Sequence, residues 1–280
     1  MHTSLDQALG RNPRLSRVGQ SLLNIASGAS AAYSLRSLTG GDPTVVTVRR
    51  SSDNAEKSFT VSELGSGALV SYVGAGNDGF IKTWHDQSGN GNDATQATQA
   101  DQPKIVESGT LLDGAKFDGT DDLLQATSVT EITGPALSMF VVSERTASGA
   151  SASLNKQTAG NLFMVVRDSS SISQLAIRNT TNRLVDDSVS GNDRLNFVAT
   201  TGNTAYKIGT NGTAVTEATD TYGDDFESGD LDTIIIGARR PTSLFDFYTG
   251  LVKEVIIYNS DQSSNRTAVE TNINGHYSIY

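Results

Sequence analysis

Three carboxylates crowd one turn of this chain: Asp118, Asp121 and Asp122, in the stretch Phe117-Asp118-Gly119-Thr120-Asp121-Asp122. Carboxylate oxygens are hard donors of the kind that Ca²⁺ gathers. The spacing does not follow the helix–loop–helix calcium pattern. Two readings of the turn stay open: a Ca²⁺ site, or an Asx turn in which each Asp bonds nearby backbone. No other cofactor is expected. The chain has no cysteine, and its histidines at 2, 85 and 276 lack the His-x-His or His-Glu-x-x-His spacing of a zinc site.

A second group is Trp84-His85-Asp86-Gln87-Ser88-Gly89-Asn90-Gly91-Asn92-Asp93. Sugars have apolar faces and hydroxyl rims, so a glycan site joins an aromatic platform to amides and carboxylates. Trp84, Gln87, Asn90 and Asn92 have that composition. The alternative is structural: Trp84 anchors its strand in the core, His85 bonds neighbouring backbone, and the loop braces a sheet edge through Asx and Gly turns. Tyr222, with Phe226 in the acidic loop 220–232, is another candidate glycan surface, and Phe245, Phe247 and Tyr248 are a third. Arg239 and Arg240 follow the apolar run Ile234–Ile236. Guanidinium groups there suit a carboxylate-bearing sugar or a partner surface, or else they pair with the chain's own acids.

Hydrolysis of a glycosidic bond calls for two carboxylates facing one groove, about 5–10 Å apart. Most acids here stand in turns, where Asp bonds local backbone. Glu144 and Glu254 fall on expected strands, but nothing in the sequence brings them together. No catalytic residue is assigned on this basis.

The elements that position these groups read as short strands between Gly/Asn/Asp/Ser turns. Val45–Arg50, Leu137–Glu144, Leu162–Arg167, Gln174–Arg178, Arg194–Thr200, Thr204–Ile208, Thr233–Gly237 and Leu251–Tyr258 are expected strands. Gly67–Val73 is open between helix and strand. Asn211-Gly212 marks a hairpin, because both residues accept positive φ. Arg266–Ile273 has helical spacing. The expected fold is all-β: two packed antiparallel sheets with a short C-terminal helix. Residues 1–30 are expected as an N-terminal arm or anchor, and 31–280 as one sandwich domain.

Composition sets outer limits. The 280 residues suffice for a full core, and the net charge of −10 argues against nucleic acid and against an anionic membrane surface. Met1–Gly28 carries Asp6, Arg11, Arg14 and Arg17 inside it and does not read as a secretory signal.

Phe117-Asp118-Gly119-Thr120-Asp121-Asp122-Leu123, Ile234–Gly237 and Phe247–Asn259 resemble the strands of concanavalin A-like and laminin-G-like jelly rolls. Tyr33-Ser34-Leu35-Arg36, Val48–Asp53 and Trp84–Gln96 resemble the catalytic sandwich of the fungal arabinofuranosidase B family, and also segments of bacteriophage tail and virion proteins. The arabinofuranosidase resemblance implies removal of arabinofuranose with retention. That family's nucleophile is a Glu in a Cys-rich Asp-x-Gly-Asn-Ala-Glu segment, which has no counterpart here. Its general acid is an Asp soon after a strand like Ile234–Gly237, where this chain has Ala238-Arg239-Arg240-Pro241. The expectation is therefore a non-enzymatic virion structural protein, a tail appendage or capsid-surface part. It would dock on other virion proteins through the arm, form a homo-oligomer, reside in the virion and bind host-surface glycans. The alternatives are a glycoside hydrolase of arabinofuranosidase type and a free carbohydrate-binding module.

Overall fold

The computed structural model describes residues 20–157, 162–178, 182–202, 205–219, 227, 229–239 and 245–280. Strands are numbered in chain order. One face of the sandwich runs β1 (Ala29–Ser34), β18 (Thr249–Tyr258), β9 (Leu137–Arg145), β14 (Asp193–Thr200), β15 (Ala205–Thr210) and β16 (Thr216–Thr219). The other runs β13 (Asn182–Ser188), β12 (Ile172–Arg178), β11 (Phe163–Asp168), β10 (Gly149–Asn155), β17 (Thr233–Ile236), β8 (Leu124–Thr127), β5 (Ala94–Thr95), β4 (Gly79–Trp84), β2 (Thr44–Arg50) and β3 (Glu56–Thr60). β6 (Lys104–Glu107) and β7 (Thr110–Asp118) link β4 to β18. All the pairings are antiparallel, and they join the eighteen strands into one continuous sheet that folds over on itself. This is the expected jelly roll with its C-terminal helix.

Strand alternation explains the layers. Met139, Val141, Val198, Val255 and Ile257 point inward from the first face and meet Leu154, Met164, Val166, Leu175, Ile234 and Ile236 of the second. β9 is buried on both sides, so it reads as a nearly continuous apolar run rather than an alternating one. Its outward residues Phe140 and Val142 join Leu195, Phe197, Ile256 and Tyr258 in a second cluster. That cluster is capped by α1 (Leu22–Ile25) and α4 (Arg266–Tyr277), through Leu22, Val269 and Ile273. α2 (Val61–Gly65) opens on a capping box between Thr60 and Glu63. The segment left open between helix and strand is α3 (Ala68–Val73). At the Asn211-Gly212 hairpin both residues have positive φ, 51° and 73°.

Of the expected arm, residues 1–19 lie outside the described residues. The rest is part of the sandwich: α1 packs Leu22 into the outer cluster, and β1 begins at Ala29.

Candidate functional site

The loop after Trp84 is a clamp on backbone. Among the described strands β1 pairs only with β18, so its other edge would leave N–H and C=O groups bare. The loop fills that edge. Asp86 Oδ1 accepts from Ala32 N at 2.8 Å, and Gln87 N donates to Ala32 O at 2.8 Å. The Gln87 side chain accepts from Leu38 N and donates to Ser34 O and Arg36 O. Asn90 Nδ2 donates to Ala29 O and Ser30 O, and Asn92 Nδ2 to Ser30 O and Glu131. His85 is held between Asp93 and Thr47. Trp84 itself is fully buried, its ring centroid 6.1 Å from that of Tyr33. The four glycan candidates of this loop thus do not form one open face: Trp84 is core, and the three amides are engaged with backbone.

Asp118, Asp121 and Asp122 do come together. One ligand atom from each lies within 4.8 Å of the others, close enough for a single cation such as Ca²⁺. Asp118 Oδ1 accepts from Thr120 N, and Asp122 Oδ2 accepts from Asp118 N, so the Asx turn and the cation cluster are one geometry. Asp122 is buried, and burial, then the charges of Asp118, Asp121 and Asp101, push its carboxyl up to about 7. A cation among the three would offset that repulsion.

Tyr222 and Phe226 lie outside the described residues, as does Arg240. Glu254 is fully buried and accepts from Arg36 Nε at 2.7 Å, while Glu144 lies 3.2 Å from Lys253. Both are taken up by ion pairs on the first face.

Arg239 opens the site that the sequence alone did not assemble. The outward residues of β11, β12 and β13 form a grid through their register: Phe163 beside Arg178 beside Asn182, Val165 beside Ala176 beside Leu184, and Arg167 beside Gln174 beside Asp186. Phe163, Val165, Ala176 and Ala150 make a small apolar floor. Over it lies a groove of about 280 Å³ lined by Phe163, Arg167, Gln174, Asn182, Leu184 and Arg239, among others. This is just under the ~300 Å³ at which small-molecule pockets begin, which suits a single ring better than a long chain.

The groove's polar groups form a chain. Arg167 grips Asp246 with both Nε and Nη2, and its Nη1 donates to Gln174 Oε1 at 3.2 Å. Gln174 Nε2 then donates to Asp186 Oδ1 at 2.8 Å. Arg239 Nε lies 3.0 Å from Asp246 Oδ2, an ion-pair distance, but its N–H is misaligned and makes no hydrogen bond. Its guanidinium sits 4.2 Å from the Phe245 centroid and 5.1 Å from that of Phe163. Burial lowers the pKa of Arg239, against the pull of Asp246, and the guanidinium keeps its charge. Gly149 makes the arrangement reachable: a Cβ there would lie 2.4 Å from the Phe247 carbonyl oxygen. The 246–248 backbone can therefore close on β10, where Asp246 O accepts from Ala150 N at 2.9 Å. Phe245 is 38% exposed beside Arg239, whereas Phe247 packs beside Leu123 and Ile235 and Tyr248 is core.

Inside the sandwich, Asp168 is a buried carboxylate that the sequence did not single out. It accepts from Ser143 Oγ, Ser173 Oγ and Asn196 Nδ2 at 2.8–3.0 Å. Three donors and closed surroundings make it a structural tie between the two faces.

No family description and no curated protein sequence matches this chain. Solved structures do. An arabinofuranosidase complexed with arabinofuranosyl-α-1,2-xylobiose matches over 90% of this chain and 64% of its own, with a TM-score of 0.68 at 16% identity. A GH54 α-L-arabinofuranosidase soaked with a cyclic sulfate inhibitor, and a mutant soaked with 4-nitrophenyl α-L-arabinofuranoside, each match with a TM-score of 0.69, the same coverage and 16% identity. The chain spans 64% of the length of these structures. These matches are glycan-acting enzymes. They overturn the expectation of a non-enzymatic virion part, and with it the virion partners and virion location. The chain is a jelly roll structurally related to the GH54 arabinofuranosidases.

Proposed function

We propose that this chain is a glycoside hydrolase of arabinofuranosidase type, and that the groove on β11–β13 receives the sugar. The observation that supports it most is the Asp246–Arg167–Gln174–Asp186 row along that groove. It sets two carboxylates beside a floor of Phe163, Val165 and Ala176, on a fold shared with arabinofuranosidases over 90% of the chain.

The chemistry assigns roles by surroundings. Asp246 is fixed between the Arg167 and Arg239 guanidinium groups, a placement that would let it stabilise positive charge developing on the sugar ring. Asp186 is exposed and accepts from the Gln174 amide, a position from which it would serve as the acid–base group.

The test is turnover of 4-nitrophenyl α-L-arabinofuranoside and arabinoxylan oligosaccharides by the whole chain. Asp246→Asn and Asp186→Asn should each lower kcat/KM by about 10²–10⁴-fold with an unchanged circular-dichroism spectrum. Absence of turnover across the panel, or full activity in both variants, overturns the proposal.

A further inference from the structure

We propose that Thr47, His85 and Asp93 form a catalytic site of their own, one that hydrolyses a short acyl ester. The three side chains make a chain of hydrogen bonds. His85 Nε2 stands 2.9 Å from Thr47 Oγ1, and His85 Nδ1 stands 2.8 Å from Asp93 Oδ2. A hydroxyl within reach of an imidazole that a carboxylate orients is the arrangement of a nucleophile, its base and the group that positions the base. The site lies apart from the sugar groove: β2 and β4 carry it near one end of the second face, and β11–β13 form the other end.

The strand register assembles it. Trp84 points into the core, so Thr83 and His85 on either side of it point outward. Thr47 pairs with Thr83 across β2 and β4, and with Ser58 across β2 and β3. His85 N donates to Val45 O at 2.8 Å, which fixes the residue beside β2. Asp93 is brought back to His85 because its other oxygen accepts from Asp86 N at 2.9 Å. Burial raises the Asp93 pKa, but the bonds from His85 and Asp86 N outweigh it and hold the carboxyl below its usual range. An ionised Asp93 accepts the Nδ1 proton, which leaves the lone pair on Nε2, and Thr47 donates to it. The His85 and Asp93 side chains are 25% and 39% exposed, so a small substrate reaches them.

The chemistry runs on these groups and water. Thr47 Oγ1 bonds to the acyl carbon as His85 Nε2 takes its proton. The carbon–oxygen bond to the alcohol then breaks, and the alcohol leaves with that proton. Water attacks the acyl-threonine and gives one proton to Nε2. The carboxylic acid is released, and the proton returns to Thr47. Asp93 is a positioning residue: it holds the ring and stabilises the imidazolium. Ser58 Oγ is exposed and 2.8 Å from Thr47 Oγ1, the hydroxyl within reach of the oxyanion. The outward row beside Thr47 is Ser58, Thr83 and Thr95, a line of hydroxyls rather than an apolar slot, so the surface suits an acetyl-sized group.

The test is release of 4-nitrophenol from 4-nitrophenyl acetate by the intact chain, with peptide mass spectrometry of an acid-quenched reaction. Thr47→Val and His85→Gln should each lower kcat/KM by about 10²–10³-fold with an unchanged circular-dichroism spectrum, and Thr47→Ser should stay within about tenfold of the parent. Asp93→Asn should lower kcat by about 10²-fold with KM within about twofold, a split that a loosened loop would not give. The acetyl group should be found on Thr47, and the octanoate ester should react about tenfold more slowly. An acetyl group on any other residue, or Thr47→Val as fast as the parent, overturns the site. Faster turnover of the octanoate overturns the short-acyl assignment.

Discussion

The Arg239 guanidinium lies 4.2 Å from the centroid of Phe245, although the two residues stand six apart in the chain. An isolated β-bridge between them, with hydrogen bonds both ways at 3.0 and 3.1 Å, holds the cation under the ring. Among the described residues Phe245 is one of few large apolar side chains left exposed, so the contact serves Arg239 at the groove more than the core. Phe245→Ala should raise KM about fivefold, the equivalent of ~1 kcal/mol for a cation–π contact at a partly exposed site. The thermal midpoint should stay within about 2 °C, because little area is buried there. A loss of stability with unchanged KM would assign the ring to packing alone.

The buried tie at Asp168 makes a contrasting prediction. Removing its carboxylate leaves Ser143, Ser173 and Asn196 with hydrogen bonds to replace inside a closed interior. Asp168→Ala should destabilise the chain by about 3 kcal/mol, measured by urea unfolding. Because its neighbours on β11 alternate to the groove, Arg167→Gln should affect sugar affinity far more than stability.

The acidic turn predicts a pH signature. The Asp122 carboxyl is raised from 3.8 to about 7 by burial and then by the charges of Asp118, Asp121 and Asp101. Between those values the folded state holds a proton that the unfolded chain releases. The stabilising contribution is therefore complete below about pH 4 and is lost as pH climbs to 7, by up to about 4 kcal/mol. In EDTA, the thermal midpoint should fall across that window, and Asp122→Asn should flatten the fall. Added Ca²⁺ should raise the midpoint more at pH 8 than at pH 5, since the ion takes ionised carboxylates. A Ca²⁺ response that survives Asp121→Asn would assign the ion to another place.

Much of the fold can be read directly from the sequence. β9 announces itself as an apolar run, the Asn211-Gly212 turn as a hairpin, and Arg266–Ile273 as a helix that runs on to Tyr277. The clamp loop is legible as an Asx-rich turn, but its polar residues resemble a sugar site because backbone and sugar hydroxyls ask for the same amides. Only the burial of Trp84 separates the two. The groove is illegible for a different reason. Its outward residues come from three strands in register, and Arg167 meets Asp246 across 79 residues of chain. No local spacing encodes such a pairing.

The clamp loop gives the prediction that best separates structure from sugar binding. Gln87 caps three backbone groups of the 34–38 segment, and it is 6% exposed. Gln87→Ala would leave Leu38 N, Ser34 O and Arg36 O without these partners. With each bond contributing about 1 kcal/mol, the chain should lose about 2–3 kcal/mol of stability. Hydrogen exchange should quicken at β1, whose free edge the loop covers, while β11–β13 stay protected. Affinity for any sugar that binds the groove should be unchanged at temperatures well below the midpoint. The opposite pattern, lost sugar binding with intact protection at β1, would move the glycan site from the groove to the loop. That outcome would also require the Trp84 ring to leave a core in which it is wholly enclosed beside Tyr33, a rearrangement that near-ultraviolet circular dichroism would register on ligand addition.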